Sequence, residues 1–308
     1  MKPETASPET ASPETASPET ASPETASPET ASPETSAIRQ MPVERYEAGE
    51  ARVEPDWVAV EEPLEIRVCG ESLVVTLRAP GRDRELAAGF LFSEGIVTAP
   101  EDLVAVETCA DPMAYDPDNV IDVELSAEAA SRREALDHAR REYLSAAACG
   151  LCGKARIEAI YQRLPEPSEA KTTWDRELLC DLPRRMESRQ DLFAKTGGLH
   201  AAALFNPEGE LLDLAEDVGR HNAVDKLIGA SLLRGDLPWT DRVLVVSARA
   251  GFEIVQKALM ARASAMVAVG AASSLAVEAA QRGGMELHSF VRGGRSNRHL
   301  GSGRRTGA

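Results

Sequence analysis

The chain has 308 residues, of which 43% are hydrophobic and 4% aromatic, and its 34 basic and 50 acidic side chains give a formal net charge of −16. No window approaches the roughly 18–20 apolar residues of a membrane helix, and the first residues lack the apolar core of a secretory signal. Five cysteines are too few for a disulfide scaffold, and the acidic charge argues against a nucleic-acid binder. These properties predict a soluble, cytoplasmic, globular protein with no membrane span and no nucleic-acid partner.

A low-complexity leader occupies residues 1–37, with six copies of Pro-Glu-Thr-Ala-Ser over residues 3–32 and a degenerate seventh. Its residues are too small and polar to bury the apolar surface that would offset chain entropy, so we expect disorder. A spacer and a repeat expanded by replication slippage both account for it. The second is favoured, because low complexity alone carries no mechanism.

The first half of the body predicts a mixture of strands and helices. Apolar alternation around a Gly-Glu-Ser turn predicts a β-hairpin over residues 64–78, and helical periodicity predicts a helix over 83–93. A strand is predicted over 120–125 and a charged helix over 128–144. Residues 165–190 are polar, with two prolines near their start, and are predicted to form a long loop.

The second half alternates strands and helices more regularly. Strands are predicted at 199–205, 210–214, 242–247, 265–269 and 285–290, and helices at 220–233, 251–263 and 273–282. The first two strands flank an Asn-Pro-Glu-Gly turn. This rhythm is typical of a largely parallel α/β sheet with both faces covered.

The sharpest chemical feature is the pair Cys149 and Cys152, in the run Cys-Gly-Leu-Cys-Gly-Lys. A structural zinc knuckle needs a second cysteine pair, which is missing, and no His-x-Glu precedes the pair as in zinc deaminases. A charged helix, rather than a strand, precedes it, which disfavours a thioredoxin-type pair. Metal binding, dithiol exchange and two small buried thiols in a tight turn remain open beside sulfur carriage.

Sulfur carriage as a persulfide suits the surroundings of this pair. Gly150 and Gly153 give the backbone freedom to swing between a donor and an acceptor. Lys154 and the N-terminus of the following predicted helix favour an anionic sulfur.

Two histidines are further candidates. His221 and Asp225 share a helical stripe with two apolar residues, so they should hydrogen-bond each other or a ligand. The alternative is a satisfied network at the helix start, with Asp217 capping the first turn. His221 with Cys149 could also form a cysteine hydrolase, but that chemistry does not need Cys152. His200 follows a Thr-Gly-Gly-Leu run and is more often structural at the start of an apolar strand.

Polar clusters follow three of the predicted strands. In open parallel sheets, ligands bind outside the carboxyl ends of the strands, which therefore share one edge. The clustered arginines of an otherwise acidic protein predict an anionic small ligand there, a phosphate or a diphosphate. An ordinary solvated, arginine-rich terminus is the alternative. The residues of these clusters are Ser247, Arg249, Ser273, Phe290, Val291, Arg292, Gly293, Gly294 and Arg295.

Seven motifs occur together in the order found in one family. They are Glu-Glu-Pro-Leu at 61–64, Glu-Leu-Ala-Ala-Gly-Phe-Leu at 85–91, Cys-Gly-Leu-Cys-Gly-Lys at 149–154, Thr-Gly-Gly-Leu-His at 196–200, Glu-Asp-Val-Gly-Arg-His-Asn-Ala-Val-Asp-Lys at 216–226, Phe-Glu-Ile-Val-Gln-Lys-Ala at 252–258 and Ser-Ser-Leu-Ala-Val-Glu at 273–278. On these motifs the chain resembles the formate dehydrogenase accessory sulfurtransferase family, FdhD, over residues 58–297. The motif at 216–226 is highly specific, whereas a Cys-x-x-Cys alone is not.

The resemblance implies a sulfurtransferase that accepts sulfur from a cysteine desulfurase. The sulfur passes to the molybdenum cofactor, Mo-bis(molybdopterin guanine dinucleotide), which is then inserted into formate dehydrogenase. It implies that Cys149 carries the persulfide and that Cys152 assists, and that residues 290–295 match the family's cofactor-binding stretch. The cofactor is then a bound client, no permanently bound metal is expected, and the protein works as a homodimer. The full candidate cofactor-binding set adds Ser247, Arg249, Ser273, His200 and His221.

The resemblance also implies a fold. Its main domain is a three-layer α/β/α sheet similar to cytidine deaminase, without the zinc signature. We therefore predict a leader at 1–37, a small N-terminal α+β region at 38–145, a mobile cysteine loop and helix at 146–165, and a main cofactor-binding domain at 166–308 with a flexible basic C-terminus.

Three departures from the family pattern stand out. Cys69 occupies a turn position where Asn is expected, Ala248 stands where the family usually has Gly, and residues 270–272 lack the usual Pro. The last two affect the predicted ligand edge. Two rival functions remain: a zinc-dependent, deaminase-like hydrolase, and a non-catalytic chaperone that binds a guanine nucleotide cofactor.

Overall fold

The computed structural model describes residues 36–111, 115–132, 164–165, 167 and 172–300. Several predictions lie outside these residues: almost the whole leader, most of the helix predicted over 128–144, the cysteine loop at 149–154 and the end of the basic C-terminal tail. The described part of the chain contains sheets of two, four and six strands.

The two-stranded sheet is a hairpin that was not predicted. Its strands are β1 (Ile38–Glu47) and β2 (Glu50–Ala59), paired antiparallel. Ala48 and Gly49 both have positive φ in the connecting turn. Most of its side chains are exposed on both faces, so the period-two contrast that reveals a strand is weak.

The four-stranded sheet has the order β4-β3-β6-β5. Its two outer pairs are antiparallel, and β3 runs parallel to β6. The hairpin predicted over 64–78 and the strand predicted over 120–125 are confirmed, whereas β5 was not predicted. The strands are β3 (Glu62–Val68), β4 (Glu71–Arg78), β5 (Leu103–Thr108) and β6 (Val120–Leu125).

The β3–β4 turn explains one departure from the family pattern. Cys69 and Gly70 have φ of 50° and 79°, as a two-residue hairpin turn with matching twist requires. Asn tolerates this left-handed backbone better than most side chains, which is the physical reason to expect Asn at such a turn position. Cys69 adopts the same conformation and is exposed.

The six-stranded sheet has the order β12-β11-β10-β9-β7-β8. Parallel pairing is confined to β9, β10 and β11, and the remaining pairs are antiparallel. The expected largely parallel sheet is therefore mixed, because short turns join β7 to β8 and β11 to β12, and such turns give antiparallel pairs. The strands are β7 (His200–Phe205), β8 (Leu211–Asp217), β9 (Val243–Val246), β10 (Ala265–Ala268), β11 (Glu286–Arg292) and β12 (Arg295–Arg298).

Helices cover both faces of this sheet. One face packs against α3, with Leu179 and Leu182 fully buried against the strands. The other packs against α5, α6 and α7. None of the helices in the described ranges is long and apolar enough to span a membrane. The helices are α1 (Asp83–Ser93), α2 (Ala127–Ala130), α3 (Arg176–Glu187), α4 (Asp191–Thr196), α5 (Arg220–Arg234), α6 (Phe252–Met260) and α7 (Ser274–Arg282).

The helix α3 corrects the prediction of a long loop over residues 165–190. Asp175 caps its N-terminus by accepting a hydrogen bond from the Leu178 amide at 2.9 Å. Leu179, Leu182 and Met186 are spaced for one buried stripe, and the rest of the helix is polar. This narrow stripe was hidden by the high polarity of the segment.

The helix α1 joins the four-stranded sheet to the main sheet. It runs antiparallel to α5, and Gly89 and Gly229 let the two backbones touch. One continuous apolar cluster contains residues of both sheets, such as Ile66 and Val246. The predicted domain boundaries and the specific similarity to cytidine deaminase stay predictions, while an α/β architecture is established.

Candidate functional site

The loops that follow β9 and β10 meet the C-terminal half of β11 along one edge of the six-stranded sheet. The Gly270 amide donates to the Ala248 carbonyl at 3.1 Å, and the Phe290 amide donates to the Gly270 carbonyl at 3.0 Å. The antiparallel β7 begins at the same edge, because the Ser247 amide donates to the Ala201 carbonyl at 3.0 Å. We call this edge, made by His200, residues 247–250, residues 270–273 and Phe290, the strand-end rim.

The two predicted serines of the rim accept hydrogen bonds from backbone amides. Ser247 Oγ accepts a hydrogen bond from the Ala201 amide at 2.9 Å. Ser273 Oγ caps α7 by accepting from the Ala276 amide at 3.2 Å. Both hydroxyls therefore fix the loops that carry the rim.

The stretch at residues 290–295 is the end of a β-hairpin. Arg292 pairs with Arg295 across a turn in which Gly293 and Gly294 have φ of 58° and 74°. That turn needs positive φ at both positions, so the two glycines shape it. The side chain of Val291 is fully buried in the core, which corrects its prediction as a ligand contact.

The other side chains of this stretch are open to solvent. Phe290 is 56% exposed and has a φ of 52°, a strained conformation for an aromatic residue. Arg292, Arg295 and Arg249 are exposed, and the described part of the chain offers them no carboxylate partner. This arrangement leaves guanidinium groups available for an anion.

A second polar group lies at the start of α5. His200 is half-buried beside Arg220 and His221, and its pKa is lowered by burial and by the positive charge of those two neighbours, against an opposing effect of Asp217. His200 is therefore neutral at pH 7, where a neutral ring offers both a donor and an acceptor.

His221 pairs with a residue that the sequence did not single out. Its Nε2 lies 2.7 Å from Glu253 Oε2, at the start of α6. The hydrogen bond from His221 lowers the pKa of Glu253 despite the opposing effect of burial. Glu253 is thus ionised at neutral pH and orients the imidazole ring.

Asp225 has partners other than His221. Both of its carboxylate oxygens bond Lys257 Nζ at 2.8 Å, and Oδ1 also accepts from Ser93 Oγ at 2.8 Å. His221 and Asp225 were predicted to bond each other or a ligand, but they do not bond each other: His221 pairs with Glu253 and Asp225 with Lys257. Only a fold brings α6 against α5, so sequence spacing could not identify these partners.

Asp217 was predicted to cap the first turn of α5. It instead accepts from the Gly219 amide at 2.8 Å and from Asn222 Nδ2 at 3.0 Å, and pairs with Lys226 at 2.7 Å. The helix begins after Gly219 without a side-chain cap. This buried network orients the start of α5 and so positions His221.

Comparison with known proteins identifies the family. The FdhD/NarQ family matches residues 59–305, which is most of the chain. The chain belongs to this family.

Curated relatives support the same assignment. A protein of Corynebacterium efficiens named sulfur carrier protein FdhD is 45% identical over 250 residues, which are 80% of this chain and 90% of the relative. The protein of that name from Streptomyces coelicolor is 44% identical over 264 residues, which are 84% of this chain and 93% of the relative. The predicted FdhD resemblance is confirmed.

A solved structure supports the fold. The crystal structure of a proposed formate dehydrogenase accessory protein from Desulfotalea psychrophila aligns with a TM-score of 0.67 over 87% of this chain and 99% of that chain. The two sequences share 22% identity, so this likeness concerns the fold alone.

The FdhD/NarQ match includes the strand-end rim, Cys149 and Cys152, and it excludes the repeat leader. Both cysteines lie outside the described residues. The last described residue before them, Arg132, bonds Asp102 at 2.7 Å and the Ile96 carbonyl at 3.1 Å. Leu164, described after them, packs on the main apolar cluster.

Proposed function

We propose that this protein is a sulfur carrier that serves formate dehydrogenase. It accepts sulfur as a persulfide from a cysteine desulfurase and passes it to Mo-bis(molybdopterin guanine dinucleotide), its cargo, before that cofactor enters formate dehydrogenase. The carrier acts in the cytoplasm as a homodimer, and it counts as a sulfurtransferase.

The observation that carries this proposal is membership of the FdhD/NarQ family over residues 59–305, a range that contains the Cys149–Gly–Leu–Cys152 run. Close relatives are named sulfur carriers. Sulfur carriage needs a thiolate that can attack a sulfur donor and then release the bound sulfur to an acceptor. The lysine and two glycines around this pair suit such a thiolate.

The strand-end rim and the β11–β12 turn that follows Phe290 support the choice of cargo. A molybdopterin guanine dinucleotide carries a diphosphate, and the exposed Arg249, Arg292 and Arg295 have no carboxylate partner within the described ranges. Arginine binds phosphate oxygens through two parallel hydrogen bonds. The Gly293–Gly294 turn allows the phosphate to approach the backbone closely. We assign the diphosphate to these three arginines and the exposed Phe290 ring to contact with the attached base.

Cys149 carries the persulfide, and Cys152 releases the sulfur from it. The Cys149 thiolate attacks the outer sulfur of the desulfurase persulfide, so an S–S bond forms on Cys149 and the desulfurase leaves as a thiolate. Delivery as sulfide needs two electrons. The Cys152 thiolate supplies them by attacking Cys149 Sγ, which expels the sulfide and leaves a Cys149–Cys152 disulfide. A cellular dithiol then reduces this disulfide.

A complementation experiment tests the carrier. A strain that lacks its own sulfur carrier receives the wild-type chain, Cys149→Ala, or the matched control Cys180→Ala. We expect Cys149→Ala to abolish formate dehydrogenase activity with an unchanged circular dichroism spectrum. We expect Cys180→Ala to retain the activity, because Cys180 lies on α3, partly buried against the apolar core. Normal activity with Cys149→Ala would refute the carrier mechanism.

A further inference from the structure

The hairpin β1–β2, residues 38–59, forms an arm whose base is fixed to the rest of the protein. A small apolar cluster at the base includes Ala37, Ala59 and Leu192 of α4. The Val60 amide also donates to the Ala37 carbonyl at 2.9 Å. Beyond this base, most side chains of the arm are exposed. A two-stranded hairpin alone is marginally stable in water, so the arm gains stability from any surface that covers it.

The two faces of the arm differ in chemistry. The register pairs Glu44 with Val53 and Met41 with Asp56, and these two pairs lie on opposite faces. The face that carries Val53, which we call the apolar face, has only two polar members, Gln40 and Glu44. Its other members are Ile38, Pro42, Tyr46, Ala51, Val53, Pro55, Trp57 and Ala59. The contrast arises once the strands are paired, and it makes the arm amphipathic.

The opposite face is charged, and its charges pair within the arm. Arg45 pairs with Glu54 and with Asp56, the latter at 3.0 Å. Arg52 pairs with Glu54 at 3.1 Å. Such a face suits water, so the apolar face is the one that a partner would cover.

Large side chains of the apolar face are open to solvent. Tyr46 and Val53 are 75% and 74% exposed, and Trp57 is 37% exposed. Contiguous exposed apolar surface marks interaction sites in proteins. Tyrosine and tryptophan are also the residues that contribute most to binding at protein interfaces.

Two prolines direct a partner to the face of the arm rather than to its edges. Pro42 and Pro55 lie directly opposite each other. Proline has no N–H, so each outer edge of the arm lacks a donor that a further strand would need for pairing. Strand addition is therefore disfavoured at both edges, and packing on the apolar face remains.

The leader that precedes the arm is a poor cover for this face. Residues 1–35 contain no aromatic residue and no Val, Leu or Ile, and each repeat adds a Glu. A segment of this composition has little apolar surface to bury. Its negative charge would also be repelled by Glu44 on the apolar face.

The size of the face indicates which partner it fits. Strands of ten residues, at about 3.4 Å per residue and about 4.8 Å apart, give a face of roughly 35 by 10 Å, or about 350 Å². A stable interface buries about 800 Å² on each partner, so a different protein that covers the arm alone reaches less than half of that area. In a two-fold pair, each protomer buries its own arm and the surface that receives the partner's arm, about 700 Å² together.

We propose that the apolar face of the arm packs against a second copy of this chain, and that two arms exchanged across a two-fold axis hold the dimer together. Tyr46, Val53 and Trp57 are the central contacts of this interface. The inference rests on the proposed function for the homodimer and names the surface that forms it.

Sedimentation velocity of the full chain over a range of concentrations tests this interface. We expect the wild type to form a dimer. Val53→Lys places an ammonium group in the apolar face, and we expect at least tenfold weaker self-association because burying this charge is costly. Tyr46→Ala removes an exposed ring without adding a charge, and it should weaken self-association in the same direction.

Met41→Lys is the matched control. Met41 is also an exposed apolar residue of the arm, at 49%, but it lies on the charged face. Each new lysine stands directly opposite a carboxylate, Asp56 for Met41→Lys and Glu44 for Val53→Lys, so both variants treat the arm itself alike. We expect Met41→Lys to dimerise as the wild type does. A monomeric wild type, unchanged association of Val53→Lys, or equal weakening by Met41→Lys would overturn the inference.

The same preparations are assayed for a persulfide on Cys149 after exposure to a desulfurase. A monomeric wild type that forms the persulfide would refute the arm-mediated dimer and leave the carrier standing. A wild-type dimer that depends on Val53 but forms no persulfide would support the arm and refute the carrier.

Discussion

Single buried carboxylates hold the frame of the candidate site. Asp217 is fully buried and pairs with the equally buried Lys226 at 2.7 Å. Its Oδ2 also accepts from the Ala79 amide at 3.2 Å, so one side chain connects the end of β8, the start of α5 and the segment after β4. A buried ion pair that loses one partner leaves an uncompensated charge, which is strongly destabilising.

Asp217→Asn should therefore lower the free energy of unfolding by about 3 kcal/mol. The exposed pair of Asp181 with Arg184 at 2.8 Å gives a control, because Asp181→Asn should lower that free energy by less than about 1 kcal/mol. Urea unfolding followed by circular dichroism measures both. Similar losses in the two variants would show that the buried network does not hold the start of α5.

Asp102 gives a stability that depends on pH. Burial would raise the pKa of its carboxyl, but hydrogen bonds from Arg132, Thr98 and Ala99 outweigh burial and lower the pKa to about 2. Because the folded pKa lies below the ordinary value of 3.8, the contribution is present above pH 4 and is lost as the pH falls from about 4 to about 2.

The lowering of the Asp102 pKa from 3.8 to about 2 corresponds to about 2 kcal/mol of stability at neutral pH. We expect Asp102→Asn to destabilise the protein at pH 7 and the difference from wild type to shrink steadily below pH 4. Unfolding curves across this range measure the effect. A difference that does not change with pH would mean that the carboxylate charge at Asp102 does not stabilise the fold.

At the scale of elements, the close contact between α1 and α5 positions the Asp225–Lys257 pair. A Cβ added to Gly89 would overlap the carbonyl oxygen of Asp225, and one added to Gly229 would overlap that of Glu85. The two backbones therefore pack at a distance that only glycine permits. This contact brings Ser93 to Asp225, which in turn holds Lys257.

Gly89→Ala should force the two helices apart and lower the free energy of unfolding by about 2–3 kcal/mol, since overpacking a tight core is destabilising. Gly251→Ala adds the same methyl group where nothing lies within 4 Å, and should change stability by less than about 1 kcal/mol. Thermal unfolding compares the two. Wild-type stability of Gly89→Ala would contradict the close helix contact.

Elements with a strong apolar pattern could be predicted from the sequence, and those without one could not. The helix at Asp83–Ser93 and the strand at Val120–Leu125 match the predicted bounds because each is rich in buried apolar residues. The helix Arg176–Glu187 was missed because only a narrow stripe is buried in a polar segment. The hairpin β1–β2 was missed because its strands are largely exposed.

At the scale of the whole molecule, local motifs predicted which residues lie at the same edge of the sheet. They did not predict which side chains form hydrogen bonds or ion pairs with each other. Parallel strand ends placed Arg249 and Phe290 at one edge, as expected for such sheets. The pairs of His221 with Glu253 and of Asp225 with Lys257 depend on two helices that meet only in the folded chain. Distant contacts of this kind leave no periodic signal in one sequence.

Mass spectrometry of the peptide that carries Cys149 and Cys152 tests the central claim most directly. The full chain is mixed with a cysteine desulfurase and cysteine, then alkylated and digested. Our account predicts one added sulfur on this peptide in the wild type and in Cys180→Ala, and none in Cys149→Ala. An unmodified wild-type peptide beside a demonstrably active desulfurase would contradict the account.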